Sequence, residues 1–261
     1  MNKKFDKPEL PSYRSTKQLP SGSQPSSTTS DKKTAEEIHK KYEKTTQRVC
    51  NLMGLSDATG SMSGLWDSTR KHITEMIKRI SELGKFEVRW VAYRDYGDGN
   101  NIIQPSDWSN QAKPLLDFIN SIQCFGGDDF EEAVERALEF AARDSKVTRV
   151  VLIGDAPPHP NKDYREQANA LARLQRPVFS FVVGNHPDTI RSFKEIAEIT
   201  GGKSMLLTKA EDLLDVVVLT AVDDMGGEES VREYIDRYAG QLSDGGRKYA
   251  QLLLGEGNKG D

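Results

Sequence analysis

Short apolar blocks alternate with longer stretches of helical spacing along most of this chain, and that alternation restricts it to a small set of folds. VCNLMGL (49–55), FEVRWVAY (86–93), VTRVVLIG (147–154) and PVFSFVVG (177–184) are rich in apolar residues and bounded by turn signals, so each reads as a buried strand. Between the first two, Leu65, Thr69, Ile73, Met76, Ile77, Ile80 and Leu83 recur at helical spacing, with Lys71, Glu75, Arg79 and Glu82 for the wet side. Further helices are expected around Leu115, Leu116 and Ile119, then from Phe130 through Val134, Ala137, Leu138 and Ala141. Two more follow, around Ala168, Leu171 and Leu174 and through Ile190, Phe193 and Ile196, the last stopped by Gly201-Gly202. DYGDGN and NII after the second strand predict a hairpin, KSMLLT an edge strand and EDLLDVVVLTAV a closing helix. Strands joined through helices need right-handed crossovers, so the expected class is α/β: a doubly wound, mostly parallel sheet with helices on both faces. Ligands in such folds sit beyond the carboxyl ends of the strands, which directs attention to the segments just after residues 55, 93, 154 and 184.

The alternation occupies only part of the 261 residues. Residues 1–34 hold scattered apolar positions (Phe5, Leu10, Tyr13, Leu19) among Ser, Thr, Pro, Gln and Lys, too little apolar surface to offset ordering entropy, so a disordered basic tail is expected. Residues 1–33 carry a net +4 against −4 for the whole chain, which leaves the remainder near −8. The expected layout is this tail, an α/β domain over 35–225 opening on a charged helical lead (Ala35 to Tyr42), and a helical extension over 226–261. In that extension Val231, Tyr234, Ile235, Tyr238 and Leu242 share a helical face, and Tyr249, Leu252 and Leu253 follow an Asp-Gly-Gly turn. The pair is expected to pack back on the domain. An acidic domain argues against general nucleic-acid binding, and no window reaches the about 18 consecutive apolar residues of a membrane span. Two cysteines make no disulfide framework, and the start lacks a secretory apolar run, so a cytoplasmic address is expected.

Chemistry concentrates at the strand ends. After the first strand comes Asp57-Ala58-Thr59-Gly60-Ser61-Met62-Ser63, an acid with hydroxyls at +2 and +4 in a tight turn. Three oxygen donors aimed at one spot suit a hard cation, while Ser61 or Ser63 as a helix N-cap explains the same residues without one. Phe125-Gly126-Gly127-Asp128-Asp129-Phe130-Glu131-Glu132 brings Asp128 toward a ligand, or starts a helix as a capping box. In VVLIGDAPPHP, Asp155 ends a strand and two prolines forbid a helix directly after it, where a plain turn aspartate is the alternative. Three carboxylates converging on one sheet edge repel one another without a cation between them.

In these motifs the chain resembles the von Willebrand factor A domain and its metal-ion-dependent adhesion site: DxTGS (Asp57, Thr59, Ser61), the GGD loop and the strand-end Asp155 come in that family's order. DATGSM, AYRDYGD, GGDDFEEAVERAL and VVLIGDAPPH bring it closer to the branch attached to atypical α-kinases and its bacterial relatives, over roughly residues 45–222. The resemblance implies a six-stranded, Rossmann-like sheet with one short antiparallel strand. It also implies Mg²⁺ (or Mn²⁺) held directly by Thr59 and Ser61 and partly through water by Asp57 and Asp155. Adhesive members place a threonine in the third loop, where this chain offers Asp128, so the site should hold its cation well yet draw a partner's carboxylate less strongly. Asp95 stands either as an orienter of metal-bound water or as a turn residue.

His159 and His186 lack a third ligand at zinc spacing, Cys50 and Cys124 lack a base, and Arg94 is expected to pair with a neighbouring carboxylate or to meet an anion at the rim. GxxxxGKS and GxGxxG signatures do not occur, and no kinase domain follows residue 222. The expected function is therefore a non-catalytic, cation-binding protein–protein interaction module, a subunit or adaptor of an intracellular complex, engaging another protein through a carboxylate at the metal. The alternative is Mg²⁺-dependent phosphoryl transfer or phosphate-ester hydrolysis with Asp57 as nucleophile, although the general-acid position two residues on is Thr59.

Overall fold

The computed structural model describes residues 49–126 and 130–256. The tail, the helical lead and Asp128 lie outside them. Six strands form: β1 (Cys50–Asp57), β2 (Phe86–Tyr93), β3 (Ile103–Pro105), β4 (Arg149–Gly154), β5 (Val178–Val183) and β6 (Ser204–Leu207). They pair in the order β3-β2-β1-β4-β5-β6, parallel throughout except for β3, which returns antiparallel along β2 as expected, though over Ile103–Pro105 rather than the expected 101–103, because a 3₁₀ turn takes up Tyr96–Asn101. The helices are α1 (Ser63–Ser81), α2 (Ala112–Ser121), α3 (Val134–Arg143), α4 (Tyr164–Arg173), α5 (Pro187–Thr200), α6 (Asp212–Tyr238) and α7 (Asp244–Leu253).

The period-two alternation of the central strands builds two cores. Leu52, Val88, Trp90, Val151, Ile153 and Phe181 face the layer of α1, α2, α6 and α7. Met53, Leu55, Val91, Val150, Leu152 and Val182 face α3, α4 and α5. Strands covered on both faces have no wet side, which is why they read as near-continuous apolar runs. The result is a doubly wound, Rossmann-like α/β fold. β2 and β4 flank β1, so strand order reverses there and a crevice opens beyond the ends of β1 and β4.

Three local expectations are corrected. The third helix begins at Val134, not Phe130, with Ala133 in the N-cap position, so Glu131 and Glu132 do not lie in its first turn and no capping box involving them starts it. The closing helix runs on to Tyr238, broken by Gly227 at φ 66°. Asp244-Gly245-Gly246 is no turn between helices but the first turn of α7, capped by Ser243. The extension does pack back on the domain: Val231, Tyr234, Leu242 and Tyr249 are buried in the α1/α6 core, and the Tyr249 ring meets Phe181 edge-on at 5.0 Å. Asp215 accepts the Ser243 N–H at 2.7 Å and Asp212 the Gly245 N–H at 3.3 Å, so two carboxylates of α6 receive orphan amides around the start of α7. No described helix is long and apolar enough to cross a membrane.

Candidate metal centre

Strand register assembles the site. Asp57, the last residue of β1, is level with Tyr93 of β2, and Ser56 is level with Ile153 of β4, two residues before Asp155. The backbone of Asp57 is held by Trp66 of α1, whose Nε1 donates to the Asp57 carbonyl at 2.7 Å. Its carboxylate is fully buried. Oδ1 accepts the Thr59 N–H at 2.8 Å and the Thr59 hydroxyl at 2.7 Å. Because that hydroxyl spends its proton on Asp57, its lone pairs remain for a cation, and Ser61 Oγ stands 3.4 Å away. Oδ2 accepts no hydrogen bond from a donor among the described residues, and the Asp155 carboxyl is a close neighbour of the Asp57 carboxyl. Burial pushes the Asp57 carboxyl from 3.8 up to about 7; the two Thr59 hydrogen bonds oppose the rise, and the charge and hydrogen bond of Asp155 add to it.

Glu132 was no candidate ligand in the sequence, yet the fold carries it here. Its N–H donates to Pro157 O at 3.0 Å in the loop after β4, and the following Ala133 N–H donates to Arg94 O beyond β2 at 3.3 Å. The side chain is 2% exposed and its Oε2 is unpartnered among the described residues. Burial pushes this carboxyl to about 9, with the charges of Asp57, Asp95, Asp98 and Asp155 adding to the rise. The helix starts only at Val134, but Phe130, four residues earlier, continues its apolar spacing, so the sequence pattern carries no signal that Glu132 precedes the helix. Tyr93 closes the floor, donating to Ile153 O at 3.2 Å, and burial followed by Asp57, Glu132 and Asp155 pushes its phenol well above the ordinary range.

Asp95 is both a turn residue and part of the rim. It opens the 3₁₀ turn Tyr96–Asn101, with its N–H donating to Asp98 Oδ2 at 3.3 Å, while its Oδ1 bonds His159 Nε2 at 2.5 Å. His186 instead meets the Phe130 ring in a tilted contact, centroids 4.3 Å apart. Among the described residues no group of three or more His, Cys, Asp and Glu side chains is placed to hold one metal ion. The side chains that could hold a cation here are the Thr59 and Ser61 hydroxyls beside the Asp57 carboxylate, and Asp128 is not among the described residues. The expectation for Arg94 is corrected: it is fully buried, and its hydrogen bonds go to backbone carbonyls and Gln104 rather than to a carboxylate or a rim anion. Burial pushes the half-buried Cys124 thiol up, away from the reactive thiolate. Phe125 and Phe130, on either side of the GGDD stretch, are 40% and 45% exposed.

No family model matches the chain. An ariadne-like RING finger protein of Acanthamoeba polyphaga mimivirus is 26% identical over 188 residues, 64% of this chain and 19% of that protein, so the chain spans about a fifth of the relative's length. The pilus adhesin SpaC from Lactobacillus rhamnosus GG superposes with a TM-score of 0.53 at 10% identity, over 68% of this chain and 31% of the adhesin. Its open conformation gives 0.52 at 9% identity, over 68% and 30%. A von Willebrand factor type A protein from Catenulispora acidiphila reaches 0.49 at 16% identity, over 68% and 43%. At such identities the likeness is one of fold.

Proposed function

We propose that this chain is a divalent-cation-binding protein–protein interaction module of the von Willebrand factor A type, docking through the carboxyl edge of its sheet as an adaptor or subunit of an intracellular complex. The observation that carries the reading is the pair of buried, unpartnered carboxylate oxygens, Asp57 Oδ2 and Glu132 Oε2, at one edge with Asp155. Ionising such buried carboxyls without a partner is costly, which is why their pKa values rise, and a hard cation with oxygen ligands is the chemistry that would favour their ionised form. Thr59 and Ser61 would hold Mg²⁺ or Mn²⁺ by their hydroxyls, with Asp57, Asp155 and the third-loop Asp128 supplying charge. The cation would neutralise the edge and offer a coordination position to a partner's carboxylate, with Phe125 and Phe130 as apolar contact beside it. The mimivirus relative supports a modular role, since the matching stretch is a fifth of a longer protein. Phosphoryl transfer gains no support: Asp57 is fully buried and its Oδ1 is engaged by Thr59.

Thermal unfolding in EDTA and across Mg²⁺ and Mn²⁺ titrations tests this. Metal at 100 times its dissociation constant should stabilise the wild type by about 2.7 kcal/mol, and Asp57→Asn and Thr59→Ala should lose the increment. An equal increment in Asp57→Asn would refute the site.

A further inference from the structure

Arg94 is the first residue after β2, is 0% exposed and forms no ion pair with a carboxylate among the described residues. Leaving a guanidinium inside a fold costs several kcal/mol unless its donors are satisfied, so the acceptors it finds reveal what it is for. Nε donates to Ala58 O at 3.1 Å, Nη1 to Asn101 O at 3.0 Å and to Gln104 Oε1 at 2.5 Å, and Nη2 to Gln123 O at 2.7 Å. The plane lies over the Phe125 ring, 4.4 Å from its centroid. These acceptors belong to three separate segments: the turn after β1, the β2–β3 hairpin and the stretch leaving α2. Ala58 stands between Asp57 and Thr59, and its carbonyl also accepts the Phe125 N–H at 3.2 Å. One planar fork thus ties the turn that carries Asp57, Thr59 and Ser61 to the segment that leads into Gly126 and Asp128.

We propose that Arg94 is the positioning residue of the cation site, setting metal affinity through the register of these segments without touching the metal. This rests on the cation-binding reading above. Charge and geometry pull in opposite directions here, which makes the role separable. A guanidinium near a divalent cation repels it, so if Arg94 acted by charge, its removal would tighten metal binding. If it acts by planar, multiply bonded geometry, lysine cannot replace it, because a single ammonium does not reach acceptors spread around a plane.

The test uses the full chain with MgCl₂ and MnCl₂ as probes, reading the metal concentration for half-maximal thermal stabilisation and, in EDTA, hydrogen exchange at the Thr59 and Phe125 amides. Positioning predicts that Arg94→Lys and Arg94→Met both raise the half-maximal concentration about 10–100-fold, the range for groups that orient metal ligands. Gln104→Ala, which keeps the guanidinium and removes its one side-chain acceptor among the described residues, should show a smaller loss of the same kind and covers the case in which Arg94 variants do not fold. Both amides should exchange faster in Arg94→Lys. The proposal is overturned if the variants lower the metal-free midpoint yet keep wild-type metal affinity, or if Arg94→Met binds more tightly while Arg94→Lys matches the wild type. A wild type that ignores both metals would remove the cation reading itself. Faster exchange at Thr59 and Phe125 in Arg94→Lys would then still support the clamp, and unchanged exchange would overturn it.

Discussion

Two buried carboxyl groups carry most of what is unusual about the strand-end site at the residue scale. Asp57 and Glu132 each have one oxygen that accepts no hydrogen bond from a donor among the described residues, and burial raises both pKa values, to about 7 and about 9. Asp57 is legible in the sequence because hydroxyl residues follow two and four positions on, the first of which, Thr59, bonds its carboxylate. Glu132 was not, because its neighbours Asp57, Asp95 and Asp155 come from three other segments and only the strand register brings them near. Glu132→Gln keeps the volume and removes the ionisation. In EDTA at pH 8 and above it should unfold at a higher temperature than the wild type, while its Mg²⁺ increment shrinks without vanishing because Asp57 and Asp155 remain. Differential scanning calorimetry with and without metal checks both.

Elements decide how those side chains are aimed. The segment from α2 toward Asp128 passes through Gly126, where a φ of +81° would strain any side chain and where a Cβ would stand 2.6 Å from Asp98 Oδ1 and displace that carboxylate. Gly126→Ala should cost about 1–2 kcal/mol from the left-handed backbone alone, before the displacement of Asp98. Gly64→Ala in the first turn of α1 meets nothing within 4 Å and has helical backbone, so it should be neutral or stabilise by about 0.4–1 kcal/mol. Urea unfolding of the pair separates the two cases. Strands and helices are readable in the sequence because period-two and period-3.6 patterns are local, whereas the start of α3 is not, because Phe130 fits the apolar spacing yet is 45% exposed and in tilted contact with the His186 ring.

Charge linkage acts on the whole molecule. Groups whose folded-state pKa is raised stabilise the fold below their unfolded values, and that contribution disappears as pH rises through the folded values. For Asp57, raised from 3.8 to about 7, and Glu132, raised from 4.5 to about 9, the metal-free protein should therefore lose stability progressively from about pH 4 to about pH 9. With Mg²⁺ the ionised carboxylates gain a partner, so the increment from metal should grow across the same window. Unfolding midpoints measured at intervals of pH with EDTA or MgCl₂ test the two slopes. The amino-acid sequence by itself determined the strand–helix alternation, the doubly wound class and the turn of Asp57, Thr59 and Ser61, because each is written in residues within a few positions of one another. Only the tertiary structure decided that Glu132 is buried within electrostatic reach of Asp57, that Arg94 bonds the carbonyls of three segments, and that Asp212 and Asp215 receive amides around the start of α7. Those pairings join residues about 28 or more positions apart, apart from the near-local bond to Asn101, and burial makes leaving them unmade expensive.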